Sequence, residues 1–357
     1  MNQELIIYRN CLQEKACHPK EIIRVSFNPD IKDTDLDFEG MVDPFQMDQN
    51  KILACKSTRR LVDKTQVFFN PDNSHIRTRS SHTHEVVAIS NTICQSLGLN
   101  SELAKAAALG HDLGHGPAGH LFEQVSEGLG IEFKHERFSG IIATSIERSG
   151  DGLNLTKETL KGILEHSRGA GDLTADKNAT NENLAVMYAD KIAYIFSDIN
   201  DLQRLGWMSP SDYKIISSYF PGSQREKVNK CIMALIEESS QKGHVSFTDS
   251  EVAKNFKKVK EIMYTYYLSL NRQALAETIK TAYGSIDTIP QFQNYDPTLV
   301  LALITDSELS KIGSISENRR VNFDDFRQFG VFEIINLGFM EGQTYKDLNV
   351  RLQTKLN

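Results

Sequence analysis

The spacing of apolar residues constrains the fold of this chain most strongly, because it predicts long helices and few strands. After Ser81, the apolar residues Val86, Ile89, Ile93 and Leu97 recur at steps of three or four. This is the pattern of one buried stripe on a helix. It predicts a helix from Ser81 to about Leu97, and similar segments farther along the chain favour an all-α fold.

A second predicted helix ends at two side chains that can bind a metal. Asn100 and Ser101 are suitable capping residues, and the apolar pattern after them runs up to the adjacent pair His111 and Asp112. Glycine and proline favour a loop directly after the pair, at Gly114, Gly116, Pro117 and Gly119. The pair is therefore predicted at a helix end beside a loop.

The longest predicted helix extends from about residue 183 to residue 205. It carries Asp190, Tyr194 and Asp198 at intervals of four residues. Because each residue turns a helix by about 100°, these three side chains drift only about 80° around the axis. They can therefore face a single cavity.

The chain is expected to divide into three segments. Residues 1–50 are predicted as an irregular or partly helical lead-in, because prolines and many Asp residues interrupt residues 18–50. Residues 51–210 contain most of the histidines. Residues 211–357 are predicted to form a helical C-terminal region, which packs on this core as part of the same compact unit because no clean linker precedes it.

The composition narrows the class of protein. With 357 residues, of which 40% are hydrophobic, the chain can bury a substantial core. The formal net charge of -7 argues against a dedicated nucleic-acid-binding protein. Five scattered cysteines predict free thiols in a reducing cytosol. Since no apolar run could span a bilayer and no signal peptide is recognisable, we expect a soluble, cytoplasmic protein with no membrane partner.

The histidines indicate a metal site. Seven of the ten lie between residues 75 and 135. A divalent ion accepts imidazole nitrogen and carboxylate oxygen, and two His with two Asp leave open positions for water or a phosphate oxygen. His82, His111, Asp112 and Asp190 can form such a set from three helices. The adjacent pair alone is a weak signal, since a solvated pair at a helix end would look the same.

Several blocks in order resemble the HD-domain metal-dependent phosphohydrolases, and within them the deoxynucleoside triphosphate triphosphohydrolases, or dGTPase-like proteins. The blocks are Arg59–Val67, Arg79–Val86, His111–His120 with Glu123, and Tyr188–Tyr194 with Asp198. The resemblance implies an all-α fold in which residues 51–210 form an HD-domain metal-dependent phosphohydrolase core. It also implies the same four metal ligands, His82, His111, Asp112 and Asp190. The metal could be Mn, Mg, Fe, Zn or Ni.

The resemblance also implies a reaction. Water would attack the α-phosphorus of a deoxynucleoside triphosphate (dNTP), and the products would be the deoxynucleoside and inorganic triphosphate. The implied acid and base groups are His115, His120, Glu123 and His135. We expect His115 and Glu123 to form the polarised pair, and which histidine donates the proton stays open.

Five residues are expected to bind the substrate. Arg79 and Lys191 lie beside metal ligands in the sequence and are reasonable phosphate partners. The resemblance adds Gln66 and Asp198 at the 3'-hydroxyl and Tyr194 against the sugar. A core tyrosine on an amphipathic helix is an almost equal alternative for Tyr194.

Other features stay unassigned or depart from the family pattern. His84 has no assigned role, and His75 and His166 are expected to be peripheral, with His166 a weak candidate for the pocket wall. The family loop frequently reads His-Pro-Pro-Phe-Gly-His, whereas this chain has Gly116 and Ala118 at the bulky positions. This puts loop rigidity and base selectivity in doubt.

Alternative functions remain open from the sequence. One is another HD phosphohydrolase, such as a nucleotidase or a cyclic-nucleotide phosphodiesterase. The (p)ppGpp hydrolases are disfavoured because the HDxxED pattern is missing after His111. A third alternative is a regulatory assembly that binds dNTP or single-stranded DNA with little turnover. The resemblance further implies a homo-oligomer, either a dimer or a hexamer, and an allosteric nucleotide is a further candidate partner.

Overall fold

The computed structural model describes residues 8–167, 179–270 and 272–356. Within these residues the fold is all-α, as predicted. The helices are α1 (Pro44–Ala54), α2 (Lys56–Arg60), α3 (Arg79–Leu97), α4 (Ser101–Gly110), α5 (His120–Gly128), α6 (His135–Ile141), α7 (Lys157–Glu165), α8 (Asn181–Arg204), α9 (Pro210–Tyr219), α10 (Gln224–Lys242), α11 (Glu251–Ser269), α12 (Gln273–Thr288), α13 (Pro297–Leu303), α14 (Asp306–Ser316), α15 (Gly330–Ile335) and α16 (Tyr345–Leu356).

Strands are confined to one small ladder in the described part of the chain. Strand β1 (Arg24–Val25) pairs antiparallel with β2 (Leu155–Thr156), and Arg24 lies opposite Thr156. No described helix is both long and apolar enough to cross a membrane. Residues 1–7 of the expected lead-in, together with residues 271 and 357 of the expected C-terminal region, lie outside the described residues.

The lead-in is more regular than expected. Helix α1 begins at Pro44, inside the segment predicted as irregular. Proline fits the first position of a helix, because the N–H that it lacks would have no helical partner there. Asp43 caps the same end, since its carboxylate accepts a hydrogen bond from the Phe45 N–H at 2.9 Å. The proline therefore starts a helix instead of preventing one.

Helices α3, α4 and α8 lie within two residues of their predicted bounds. Asn100 caps α4 by accepting hydrogen bonds from the N–H groups of Glu102 and Leu103, each at 3.1 Å. Gly98 ends α3 with a φ of +77°, and a Cβ there would lie 2.8 Å from the Cα of Asn10. Helix α3 packs against both α4 and α8. These contacts bring the end of α4 close to the middle of α8.

The buried apolar side chains form two large clusters, and the C-terminal helices contribute to both. One cluster joins α3, α4 and α8 to α10 and α11, with Ile93, Ile192 and Phe256 as fully buried members. The other joins α5, α6 and α7 to α12–α16, and it includes Phe122 and Leu352. Burial of each large apolar side chain contributes about 1.5–3 kcal/mol. The histidine-rich region is therefore packed against C-terminal helices on more than one side.

Candidate functional site

The four predicted metal ligands meet where three helices converge. His82 lies in the first turn of α3, His111 and Asp112 directly follow α4, and Asp190 lies in the middle of α8. The Nε2 atom of His82 is 2.9 Å from Oδ1 of Asp190. One ligand atom from each of His82, His111 and Asp112 can be chosen so that all three lie within 4.8 Å of one another. The structure therefore brings together side chains that lie up to 108 residues apart in the sequence.

The orientation of His111 suits a metal ligand. Its Nδ1 lies 2.6 Å from the carbonyl oxygen of Ala108, so a proton on Nδ1 leaves a lone pair on Nε2. Nε2 is buried and makes no hydrogen bond within the described part of the chain, although it lies 3.4 Å from Oδ2 of Asp112. Two imidazoles and two carboxylates with an unsatisfied nitrogen form a donor set that fits a divalent cation.

Opposite charges are concentrated at this point. Burial alone would raise the pKa of Asp112, but the nearby His111, Arg79 and His115 hold that pKa well below its ordinary value. Burial would likewise lower the pKa of His111, yet the neighbouring Asp112 carboxylate raises it to about 9, so a metal ion that binds Nε2 would displace a proton from it. Asp112 is therefore anionic at neutral pH, as a carboxylate ligand must be.

Arg79 holds Asp112 in place. Its Nη1 donates to Oδ2 of Asp112 at 3.0 Å, and its Nε donates to the carbonyl oxygen of Thr65 at 2.9 Å. A third bond joins Nη2 to the carbonyl oxygen of Gln66 at 3.2 Å. Gly119, with a φ of +59°, leaves room for this guanidinium, because a Cβ there would lie 3.0 Å from Nη2. Arg79 lines the cleft, but at least part of its hydrogen-bonding capacity orients the predicted metal ligand Asp112.

The predicted acid and base residues form a second cluster beside the first. Suitable ligand atoms of His115, His120, Glu123 and His135 all lie within 4.8 Å of one another. The rings of His115 and His135 stack with their centroids 3.8 Å apart. His115 is fully buried, whereas the side chain of His120 is 59% exposed. The four side chains thus extend from the metal ligands to solvent.

The structure corrects the predicted pairing within this cluster. Oε1 of Glu123 lies 2.5 Å from Nδ1 of His135, and His115 lies instead 3.3 Å from Oδ1 of Asp112. The reason is that Glu123, in the first turn of α5, faces the start of α6, where His135 lies. Burial would lower the pKa of His135, but the Glu123 carboxylate raises it. The polarised pair is therefore Glu123 with His135.

His166 lies inside the site, so the prediction that it is peripheral is wrong. It follows the last turn of α7 and is almost fully buried, with Nδ1 2.7 Å from the carbonyl oxygen of Ile163. Its Nε2 lies 3.2 Å from Nε2 of His135, and its ring centroid is 4.9 Å from that of His111. Helix α7 packs on α4, which places the ends of both helices side by side. Burial and the nearby His111 and His135 lower the pKa of His166 to about 3.

Both clusters open into one cleft of about 380 Å³. The residues expected to bind substrate all line it: Gln66, Arg79, Lys191, Tyr194 and Asp198. Sequence reasoning missed further residues of its wall, among them Tyr264, Tyr267 and Arg272. The two tyrosines are three residues apart in a predicted helix and so share one face, which is the signal that could have found them.

The loop after the metal ligands is anchored from the C-terminal region. Asp306 accepts hydrogen bonds from the N–H groups of Ala118 and Thr65, each at 2.8 Å. Ala118 has a left-handed φ of +61°, and these contacts hold it there. Gly116 is required by packing, because a Cβ would lie 2.4 Å from the ring of Phe122. The sequence of this loop departs from the family pattern, yet the hydrogen bonds to Asp306 and the packing against Phe122 hold its conformation.

Comparison with known proteins identifies the part of the chain that carries this site. The model of the HD domain matches residues 79–195. Residues 79–195 are thus similar to an HD domain. HD domains bind divalent metal ions, and the cluster of His82, His111 and Asp112 could hold one.

The chain is also similar to curated relatives named deoxyguanosinetriphosphate triphosphohydrolase-like protein. The one from Clostridium tetani is 47% identical over 169 residues, which are 47% of this chain and 48% of that protein. The one from Caldanaerobacter subterraneus is 40% identical over 206 residues, which are 57% of this chain and 59% of the relative. The chain spans about half the length of the curated relatives it matches. The printed names of these relatives are those of triphosphohydrolase-like proteins.

Proposed function

We propose that this protein hydrolyses deoxynucleoside triphosphates to a deoxynucleoside and inorganic triphosphate. The observation that carries this proposal is the meeting of His82, His111 and Asp112, with Asp190 in contact with His82, beside a histidine–glutamate cluster that lines the cleft. The printed names of the relatives support the substrate class. The reaction is attack of water at the α-phosphorus.

The four ligands would hold one divalent ion, which when bound polarises a phosphate oxygen and lowers the pKa of water. Arg79 keeps the Asp112 carboxylate in position, through the bond at 3.0 Å. The Nδ1 contact of His111 with Ala108 keeps its Nε2 facing the ligand set. These contacts prepare the site before any ion or substrate binds, so little reorganisation is needed at the moment of reaction.

We assign proton donation to His120. His135 has both ring nitrogens engaged within the protein, with Glu123 at Nδ1 and His166 at Nε2. His115 is buried, and its pKa is lowered well below the ordinary value by burial, by Arg79 and by His135. His120 is the exposed member of the cluster, and its Nδ1 lies 3.6 Å from Oε1 of Glu123. A carboxylate-oriented imidazole suits protonation of the leaving 5'-oxygen.

Five further residues that line the cleft would bind the nucleotide. Lys191 and Arg79 supply positive charge for the phosphates, and both line the cleft. Gln66 and Asp198 would bind the 3'-hydroxyl, while Tyr194 packs against the sugar. Each of the five residues predicted to bind substrate is thereby assigned to one chemical group of a dNTP.

The reaction is tested by product analysis. The protein is incubated with each of the four dNTPs and Mn²⁺ or Mg²⁺, and the products are separated by chromatography and identified by phosphorus NMR. We expect nucleoside and triphosphate. Monophosphate with pyrophosphate would overturn the proposal in favour of another HD phosphohydrolase.

Two variants separate metal binding from proton transfer. Asp112→Asn is expected to lose both bound metal, measured by calorimetry, and activity. Glu123→Gln is expected to keep the metal and to lose activity by about 10²–10⁴-fold, since it removes the partner of His135 and His120. His75→Gln is the matched control, because His75 is exposed and lies outside the cleft. Loss of metal from the Glu123 variant would contradict the assignment.

A further inference from the structure

Two imidazole nitrogens face each other in the cleft, outside the set of four predicted metal ligands. His135 begins α6, and His166 directly follows α7. The Nε2 atoms of the two rings lie 3.2 Å apart. Both side chains are almost fully buried, and both line the cleft, so an ion that enters the cleft can reach them.

The other nitrogen of each ring already has an acceptor. Nδ1 of His166 lies 2.7 Å from the carbonyl oxygen of Ile163, and Nδ1 of His135 lies 2.5 Å from Oε1 of Glu123. Because a carbonyl oxygen and a carboxylate only accept hydrogen bonds, each Nδ1 carries the proton of its bond. In a neutral imidazole this leaves a lone pair on Nε2. The two lone pairs then point towards each other, which is favourable only with a cation between them.

The distance between the two Nε2 atoms fits a shared metal ion. Metal–imidazole bonds of about 2.0–2.1 Å, at angles of about 90–109°, place two ligand nitrogens about 2.8–3.4 Å apart. A histidine ligand also commonly donates its second ring N–H to a carboxylate or a backbone carbonyl, which fixes the ring. Glu123 and Ile163 supply these two acceptors.

Asp112 supplies a third ligand and connects this set to the first. Ligand atoms of Asp112, His135 and His166 all lie within 4.8 Å of one another. The same holds for His82, His111 and Asp112, so Asp112 belongs to both sets. The rings of His111 and His166 are in contact, with centroids 4.9 Å apart. Since a carboxylate has two oxygens, it can bind one ion with each.

We propose that the protein binds a second divalent ion between Asp112, His135 and His166, with Asp112 bridging the two ions. Two imidazoles and one carboxylate suit Mn²⁺, Fe²⁺ or Zn²⁺ and leave positions open for water or a phosphate oxygen. Two ions about 3.5–4 Å apart stabilise both the attacking and the leaving oxygen in hydrolysis of phosphate esters. The proposal goes beyond the proposed function, because the number of bound ions does not depend on the substrate.

A second group of side chains competes for this ion. Ligand atoms of His115, His120, Glu123 and His135 also lie within 4.8 Å of one another. In that group, however, the short contact joins Glu123 to Nδ1 of His135, which is a hydrogen-bond donor and has no lone pair to offer. The side chain of His120 is also 59% exposed. The geometry therefore favours the side of His135 that faces His166.

The test counts bound ions. Protein freed of metal with a chelator is titrated with Mn²⁺ in a calorimeter, and the bound metal is also measured by elemental analysis. We expect two ions per chain for the wild type, one for His166→Gln and none for Asp112→Asn. His120→Gln is the matched control, because it makes the same substitution in the competing group, and it should still bind two ions.

Three results would overturn the inference. One ion per wild-type chain would show that a proton on Nε2 of His135, donated to His166, occupies the space between the rings. Two ions in His166→Gln would show that the second ion lies elsewhere. Loss of one ion in His120→Gln would place it in the competing group.

Electron paramagnetic resonance tests the bridge itself. Two Mn²⁺ ions that share the carboxylate of Asp112 are magnetically coupled, so the loaded wild-type protein should give a coupled spectrum. His166→Gln should give the spectrum of an isolated ion. An uncoupled spectrum from the fully loaded wild type would overturn the bridging role of Asp112.

A measurement on the wild-type protein covers the case in which His166→Gln fails to fold. Anomalous diffraction from crystals grown with Mn²⁺ should show two peaks, one of them between His135 and His166. A single peak at the first set of ligands would overturn the inference. Failure of the proposed reaction is a separate result, because a protein that binds two ions and hydrolyses no dNTP contradicts only the reaction.

Discussion

At the scale of single residues, the burial of Asp198 in the cleft wall has a cost in stability. The side chain is buried beside a phenol, and burial raises the pKa of its carboxyl group to about 8. Asp212 forms the corresponding pair with Tyr266, but it lies near the surface, and hydrogen bonds from Tyr266 and Ser209 lower its pKa. The carboxyl pKa is therefore raised in one Asp–Tyr pair and lowered in the other, because only the carboxyl group of Asp198 is taken out of water.

Replacement of Asp198 by Asn is predicted to stabilise the protein at alkaline pH. The folded-state pKa of the Asp198 carboxyl lies above the unfolded value of about 3.9. Between these two pH values the native state binds more protons than the unfolded state does, so the free energy of unfolding falls as the pH rises. Asn has no proton to lose. The free energy of unfolding from urea denaturation should exceed the wild-type value by roughly 1–3 kcal/mol at pH 8.5, and the difference should shrink towards pH 4.

Asp212→Asn is the control for this prediction. Since the pKa of Asp212 is lowered on folding, its carboxylate stabilises the native state above the unfolded pKa, and the substitution should give no gain at pH 8.5. A loss of stability in Asp198→Asn at pH 8.5, or an equal gain in both variants, would contradict the argument.

At the scale of elements, α11 carries Tyr264 and Tyr267 to the cleft, and its start is fixed by Glu238 of α10. The buried carboxylate of Glu238 accepts hydrogen bonds from the N–H groups of Thr248 at 2.8 Å and Ser250 at 3.0 Å. Burial would raise the pKa of Glu238, but these N–H groups and the Lys242 ammonium lower it far below its ordinary value. The turn between α10 and α11 therefore depends on one ionised side chain.

Glu238→Gln is predicted to destabilise the protein by roughly 1–3 kcal/mol at pH 7, since a charged acceptor of several N–H groups becomes neutral. Because the folded pKa is lowered, the contribution is present above the unfolded pKa of about 4.3 and is lost as pH falls below it. The difference between wild type and variant, measured by urea unfolding, should therefore decrease at pH 3. Glu237→Gln, at an exposed neighbour, should have little effect at either pH. A difference that does not depend on pH would contradict this account.

At the scale of the whole molecule, the C-terminal helices and the metal-binding region share their buried surfaces. Both apolar clusters contain residues from before and after residue 211. Polar contacts cross the same boundary, since Asp306 binds Thr65 and Ala118, and Tyr267 binds Asp198. Neither region could bury its apolar face without the other.

The chain is therefore predicted to unfold in one cooperative transition. Tryptophan fluorescence from Trp207, the only tryptophan in the sequence, and far-UV circular dichroism should give the same urea midpoint. Added metal should shift both midpoints together, because an ion that binds only the native state stabilises the whole unit. Two separated transitions would show instead that residues 211–357 form an independent unit.

The sequence by itself determined where most of the site helices begin and end. Periodicity and caps are local properties, which is why α3, α4 and α8 lie within two residues of their predicted bounds. The intervals of four along α8 also indicated correctly that Asp190, Tyr194 and Asp198 line one cleft. These features depend on side chains a few residues apart, so a short stretch of the sequence contains the information needed to predict them.

Only the tertiary structure decided which distant side chains meet. His166 joins the site because α7 packs on α4, and Glu123 pairs with His135 because α5 faces the start of α6. Tyr267 reaches Asp198 because α11 packs against α8. Each of these contacts depends on how two helices pack, and the packing is determined by the fit of whole apolar faces, which no local pattern in the sequence specifies.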